Sequence, residues 1–280
     1  MCRTPKDLRQ AMKTIEKTII GKKNEAECED GIVVNDNFVA VVDGSTSKTP
    51  MQLKKGCSNG RYCMELICRY IEEMPEDISA NEFCNEITQQ IRSVYKEYGV
   101  DIERLRQNPT ERLTASAIIY SAYHKEIWMV GDCQCIANGQ VYDNSKPQES
   151  ILADKRSRFL KQAITDGLTL EEAQTKDPGR TFILKELIEC CKEQNISYSV
   201  IDGFNIPLNK IKVIDVSQEK EIILASDGYP FLKPTLKDSE EALKKLLDND
   251  PLLINLFKAT KGFYKGNLSF DDRSYIRFSV

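Results

Sequence analysis

A chain of 280 residues, 41% of them hydrophobic, is long enough for one large core or two small ones. Charged residues make up 29% and leave a formal net charge of −4, so there is no basic footprint to suggest nucleic acid or an anionic membrane as partner. No apolar run reaches the length needed to cross a bilayer, and the opening "MCRTPKDLRQ" lacks the apolar centre of a secretory signal. The ten cysteines are scattered. Cys133 and Cys135 are two apart and Cys190 and Cys191 adjacent, neither of which is zinc-ligand spacing, and the one histidine is His124. The thiols read as small reduced hydrophobes of a cytoplasmic protein, with a secreted, disulfide-bonded form as the alternative.

In chain order, Thr4 caps an expected helix with Pro5 at its first position. "DGIVVNDNFVAVVDG" reads as two strands around a turn at Asn35 to Asn37. Helical spacing covers 60–73 and 81–98, with a break at Pro75. From Thr114 a three-strand meander is expected, with turns at His124-Lys125, Gly131-Asp132 and Asn138-Gly139. Residues 150–192 are polar and mostly helical. "IKVIDV" and "EIILASDG" are further strands, two short amphipathic helices follow over 237–262, and "DDRSYIRFSV" is a last strand. No repeat or linker interrupts the pattern, so one domain over 1–280 is expected, with antiparallel sheets faced by helices.

The acids sit in a pattern. Asp43 follows "FVAVV", Asp132 follows "IWMVG", Asp227 follows "IILAS", Asp271 and Asp272 precede "RSYIRF", and Asp30 leads into "GIVV". Each alone is an ordinary turn residue. If the strands lie side by side, the carboxylates converge. Two unit charges 4 Å apart repel by about 4 kcal/mol at an effective dielectric of 20, so such a cluster requires cations or protons. Oxygen ligands without histidine or thiolate favour Mg²⁺ or Mn²⁺ over zinc.

The stretches "CEDG" (28–31), "VVDGST" (41–46), "LTAS" (113–116), "VGDCQ" (130–134), "LASDG" (224–228) and "FDDRSYI" (270–276) resemble, in order and spacing, motifs of the metal-dependent protein phosphatase 2C family of serine/threonine phosphatases. The likeness runs over 16–279. It implies an α+β fold, a four-layer αββα sandwich of two packed antiparallel sheets flanked by helices. It also implies two Mg²⁺ or Mn²⁺ ions and a weaker third. Asp43 would bridge the pair and the Gly44 carbonyl would bind one of them. Asp227 and Asp271 would hold the other ion, Asp132 with Asp227 would match the third site, and Glu29 and Asp30 would act through metal-bound waters. Asp43 and Asp227 would be the central catalytic acids. A water held between the ions would attack phosphorus directly. The implied partner is a phosphorylated protein acted on by a monomer, as a phosphoserine or phosphothreonine phosphatase.

The chain departs from that pattern where the family grips its substrate. Ser45, Thr46, Ser47 and Lys48 follow Asp43-Gly44, where a histidine or methionine is usual, and Gln134 stands where an arginine is common. No arginine falls between Gln10 and Arg61, so Lys22, Lys23 and Lys48 are the candidate phosphate ligands, as point charges without a bidentate fork. Two other readings stand beside this one. "VVDGSTSK" is similar to the phosphate loop of sugar-kinase and actin-like ATPases, without the residue that loop has between Asp and Gly. A weak or inactive pseudophosphatase of the same fold would use the acidic rim as a binding module.

Overall fold

The computed structural model describes residues 12–280, so the helix expected after Thr4 lies outside the described residues. The strands are β1 (Lys13–Ile20), β2 (Asp30–Val34), β3 (Phe38–Gly44), β4 (Ala115–Ser121), β5 (Glu126–Val130), β6 (Gln134–Ala137), β7 (Gln140–Tyr142), β8 (Lys212–Asp215), β9 (Glu221–Ala225) and β10 (Arg273–Ser279). The helices are α1 (Asn59–Glu73), α2 (Ala80–Glu97), α3 (Ile102–Gln107), α4 (Glu149–Thr165), α5 (Leu170–Lys176), α6 (Pro178–Cys190) and α7 (Leu236–Asn249). Two five-stranded antiparallel sheets result, in the orders β1-β10-β9-β6-β7 and β2-β3-β4-β5-β8.

Strand alternation builds the layers. In β3, Val39 and Val41 point between the sheets and meet Ile222, Leu224, Ile276 and Phe278. Phe38, Ala40 and Val42 point the other way, onto Ile67, Ile71, Phe83 and Ile87 of α1 and α2. On the far side, Ile223, Ala225 and Tyr275 pack against Leu243 and Leu246 of α7. Each fully buried aliphatic side chain in these layers contributes about 1.5–3 kcal/mol. The order is helix, sheet, sheet, helix, as the resemblance implies. Local sequence starts the helices as well. Ser79 and Glu82 form a reciprocal capping box at α2, and Thr169 and Glu172 form another at α5. Asp177 caps α6 ahead of Pro178.

Three expectations need correction. The meander from Thr114 has four strands, and it changes sheets. β4 and β5 stay in one, Gly131 turns at φ +89°, and β6 and β7 join the other. The expected Asn138-Gly139 hairpin forms, with φ of +51° and +72°. Only one of the two late helices exists, because after α7 the 250–262 segment is bound as irregular chain around Asp250 and Arg156. The strand β1 was not expected; it is an edge strand whose Lys13 and Lys17 are exposed and which pairs with β10.

Candidate metal and phosphate site

The pairing registers put the acids at one end of the sandwich. Asp30 is opposite Asp43, and Asp43 is opposite Ser116 on β4. Ala117 is opposite Val130, so the chain leaving β5 reaches Gly131 and Asp132 beside Ser116. Tyr275 is opposite Ala225, which brings Asp227, just past β9, to Asp271 and Asp272, just before β10. Asp43 continues the row Val39–Val41, so its carboxylate lies at the mouth of the slot between the sheets.

Close backbone approach makes this possible. A Cβ on Gly228 would collide with the Asp272 carbonyl, and one on Gly44 with the carbonyl of Gly60 at the start of α1. Gln134 donates to the carbonyls of Ser226 at 3.0 Å and Tyr229 at 2.7 Å and so fixes the loop that carries Asp227. Asp272 accepts from the backbone N–H of Lys22 at 2.7 Å and of Glu29 at 3.3 Å, which ties the start of β10 to the chain ahead of β2.

Asp43, Gly44, Asp132, Asp227 and Asp271 all line one cavity of about 490 Å³. Among the described residues no donor hydrogen-bonds the Asp43 or Asp227 carboxylate. Burial raises the pKa of Asp43 well above its usual value, and the charges of Asp227, Asp30, Asp132 and Asp271 raise it further. Burial raises Asp227 likewise, with Asp271 and Asp132 adding to the effect. Asp30 is 4% exposed, and both its oxygens are sealed without a hydrogen bond; burial pushes it up to about 7, although the Ser226 and Ser274 hydroxyls beside it favour the ionised form.

The other acids already have cations. For Asp132, burial acts upward, but Lys146 at 2.5 Å from Oδ2 and the Ser116 hydroxyl at 2.6 Å from Oδ1 hold it below the usual range. For Asp271, burial is likewise outweighed by Lys261, in contact with Oδ2, and by Lys22, 3.3 Å from Oδ1. Glu29 accepts from Ser58 at 2.5 Å and Thr46 at 2.9 Å. As placed, no three acidic, histidine or cysteine side chains among the described residues form a closed ligand set.

The cavity's residues nevertheless fit hard divalent ions. Asp43 and Asp227 are unpartnered oxygen donors that repel one another, and Asp30 is a buried orphan behind them. Such a group is stable only with protons or cations.

Two of the three candidate phosphate lysines are elsewhere. Lys22 is held by Glu29, Asp271, Asp272 and Thr46, so its charge is already used. Lys23 is solvent-exposed and pairs with Glu27. Lys48 does line the cavity, with Lys146, Arg180 and Lys261. Those three were not singled out from the sequence. Arg180 and Lys261 are brought in by one buried knot: Arg156, fully buried, binds Asp177 at 2.8 Å and the carbonyls of Leu252 and Ala259 at 2.9 and 3.0 Å. Asp177 also accepts from Gly262 N at 3.1 Å, beside Lys261, and from Arg180 N at 2.9 Å. Arg180 lies in the short stretch "DPGR", where the capping Asp177 and Pro178 start α6. His124 sits at the opposite end of β4, where its ring meets the Asp77 carbonyl at 3.0 Å and lies tilted at 51° to the Trp128 ring, 6.0 Å between centroids.

No protein-family model and no curated sequence matches the chain. Solved structures do resemble it. A bacterial serine phosphatase is 15% identical, with a TM-score of 0.46 over 96% of this chain and 98% of its own. PppA, a regulatory component of a secretion system in Pseudomonas aeruginosa, is 11% identical, with a TM-score of 0.48 over 97% and 99%. The catalytic domain of the serine/threonine phosphatase PstP, in complex with two manganese ions, is 12% identical, with a TM-score of 0.44 over 96% and 99%. Among the described residues no helix is long and apolar enough to cross a membrane.

Proposed function

We propose that this protein is a metal-dependent phosphomonoester hydrolase of the phosphatase 2C type, acting on phosphoserine or phosphothreonine in proteins. The observation that carries the reading is that Asp43 and Asp227 share one cavity with no donor on either. A pair of carboxylates so placed suits Mg²⁺ or Mn²⁺. Asp43 and Asp227 would be the central ligands, with the Gly44 carbonyl beside Asp43. Asp271 and Asp132 would complete the set once their lysines turn away, and Glu29 and Asp30 would hold the surrounding water.

Two such ions supply a water of lowered pKa and offset charge on the phosphoryl oxygens. The protein's own part is positional. Gly228 and Gly44 let the strand ends approach, Gln134 and Asp272 clamp the loops, and Ser116 orients Asp132. No cysteine is needed as nucleophile: burial holds Cys133 well above its usual pKa and pushes Cys135 up to about 12.

Hydrolysis of p-nitrophenyl phosphate with Mn²⁺, with and without EDTA, tests the reading. Turnover abolished by EDTA and by Asp43→Ala or Asp227→Ala is the expected result. One observation favours a second reading, a weakly active or inactive module: Lys146 and Lys261 already neutralise Asp132 and Asp271. Mn²⁺ binding measured by calorimetry without any metal-dependent turnover would select that module.

A further inference from the structure

Lys48 and Arg180 line the same cavity as the acids, and neither has an ion-pair partner among the described residues. The Arg180 guanidinium donates to the Thr260 carbonyl at 3.0 Å and to nothing else described. The nearest carboxylate in sequence, Asp177, is taken up by Arg156. Burial lowers the pKa of Lys48; Cys191 acts the other way, and the like charges of Lys146, Arg180 and Lys261 lower it further. Gathering unpaired cations in a partly buried hollow is as unfavourable as gathering carboxylates, unless an anion neutralises them.

A second observation points the same way. Gln194 is 9% exposed and lines this hollow and the smaller recess beside it. Its side-chain N–H₂, the half of the amide that can meet an anion, donates to nothing among the described residues, and its Oε1 is likewise without a partner. The Ser47 hydroxyl, in that recess, is also buried and unpartnered. A lysine, the arginine donors not spent on Thr260, an amide N–H₂ and a hydroxyl match a tetrahedral oxyanion with several acceptor oxygens.

We infer that Lys48 and Arg180, with Gln194 and Ser47, form a phosphate-binding subsite that grips the phosphoryl group of the ester without needing the metal ions. It deepens the phosphatase reading, and rests on it for the anion being a phosphate ester. The subsite takes the place of an arginine between Gln10 and Arg61, where the sequence has none. It draws instead on the loop after β3, the first turn of α6 and the segment after it.

The test is calorimetric titration of inorganic phosphate, and separately of a phosphoserine peptide, into the metal-free protein in EDTA. Both are expected to bind, the peptide more tightly. Lys48→Met and Arg180→Gln should each weaken binding about tenfold or more, whereas Lys237→Met, on the exposed face of α7, should not. Arg180→Lys keeps the charge but loses the fork, and should fall between. Unchanged affinity in both Lys48→Met and Arg180→Gln, or no binding of either probe by the wild type, overturns the inference. Peptide binding without phosphate binding does so too, since it would place recognition outside the phosphoryl group. Phosphate binding without metal-dependent turnover would leave the subsite standing and sink the hydrolase reading. Metal-dependent turnover with KM unchanged in both variants would do the reverse.

Discussion

Asp30 and Asp43 face each other across β2 and β3, two carboxylates in directly opposed positions at the mouth of the sandwich. Like charges so placed destabilise a strand pair, yet the hydrophobic rows behind them hold the register. The fold therefore carries a repulsion that a cation would relieve.

Asp43→Asn should stabilise the metal-free protein while abolishing its response to metal. The folded-state pKa of Asp43 is raised, so its ionised form opposes folding at every pH above the unfolded value of about 3.9. Each kcal/mol relieved raises Tm by about 2–4 °C in a chain of this size class. Calorimetric melting in EDTA checks this. A variant that melts below the wild type would mean that Asp43 already has a stabilising partner.

Adding Mn²⁺ to the wild type should raise Tm, by an amount equivalent to about 2.7 kcal/mol at a hundred times Kd. Asp227→Asn should lose that rise. Lys146→Met leaves Asp132 without its cation, and should cost about 1–3 kcal/mol in EDTA, part of which Mn²⁺ restores. Urea melts with and without metal report all three.

Away from the site, Glu240 accepts from both Arg273 and the Tyr229 hydroxyl. Burial raises its pKa, but those two partners outweigh it and leave the carboxyl lowered. A depressed folded-state value gives stability that is present above the unfolded pKa and lost as pH falls through the folded one. Glu240→Gln should therefore melt below the wild type at pH 7, and the gap should close below about pH 4. A gap that persists in acid would assign the loss to packing.

The Arg156–Asp177 knot should be the most sensitive ion pair. Asp177→Ala leaves a fully buried guanidinium unpaired and costs about 3–5 kcal/mol. Because the knot places both Arg180 and Lys261, phosphate affinity should fall in the same variant, measurable at a temperature where it stays folded.

The acids were legible in sequence because each ends or begins an apolar strand next to a backbone that must turn, as at "VVDG" and "LASDG". The helices at 60–73 and 81–98 were legible from their spacing. The cations were not. Lys146, Arg180 and Lys261 lie on three separate stretches, and only tertiary packing around Arg156 and Asp132 gives them a common direction. The change of sheet at Gly131 left no mark beyond a glycine, since the strands on either side look alike. The strand β1 was hidden because, as an edge, it keeps its lysines in water and shows a weak alternation. Lys22 was a reasonable phosphate candidate in one dimension; in three, Asp271 and Asp272 reach it first.

The pairing of β9 with β10 also sets when the proposed metal site can form during synthesis. Asp43 leaves the ribosome well before Asp271 and the strand that follows it, with every described α-helix made in between. A nascent chain halted before β10 would hold all seven described α-helices and still lack the pairing that sets Asp271 beside Asp227, so the proposed centre cannot assemble until β10 has been made.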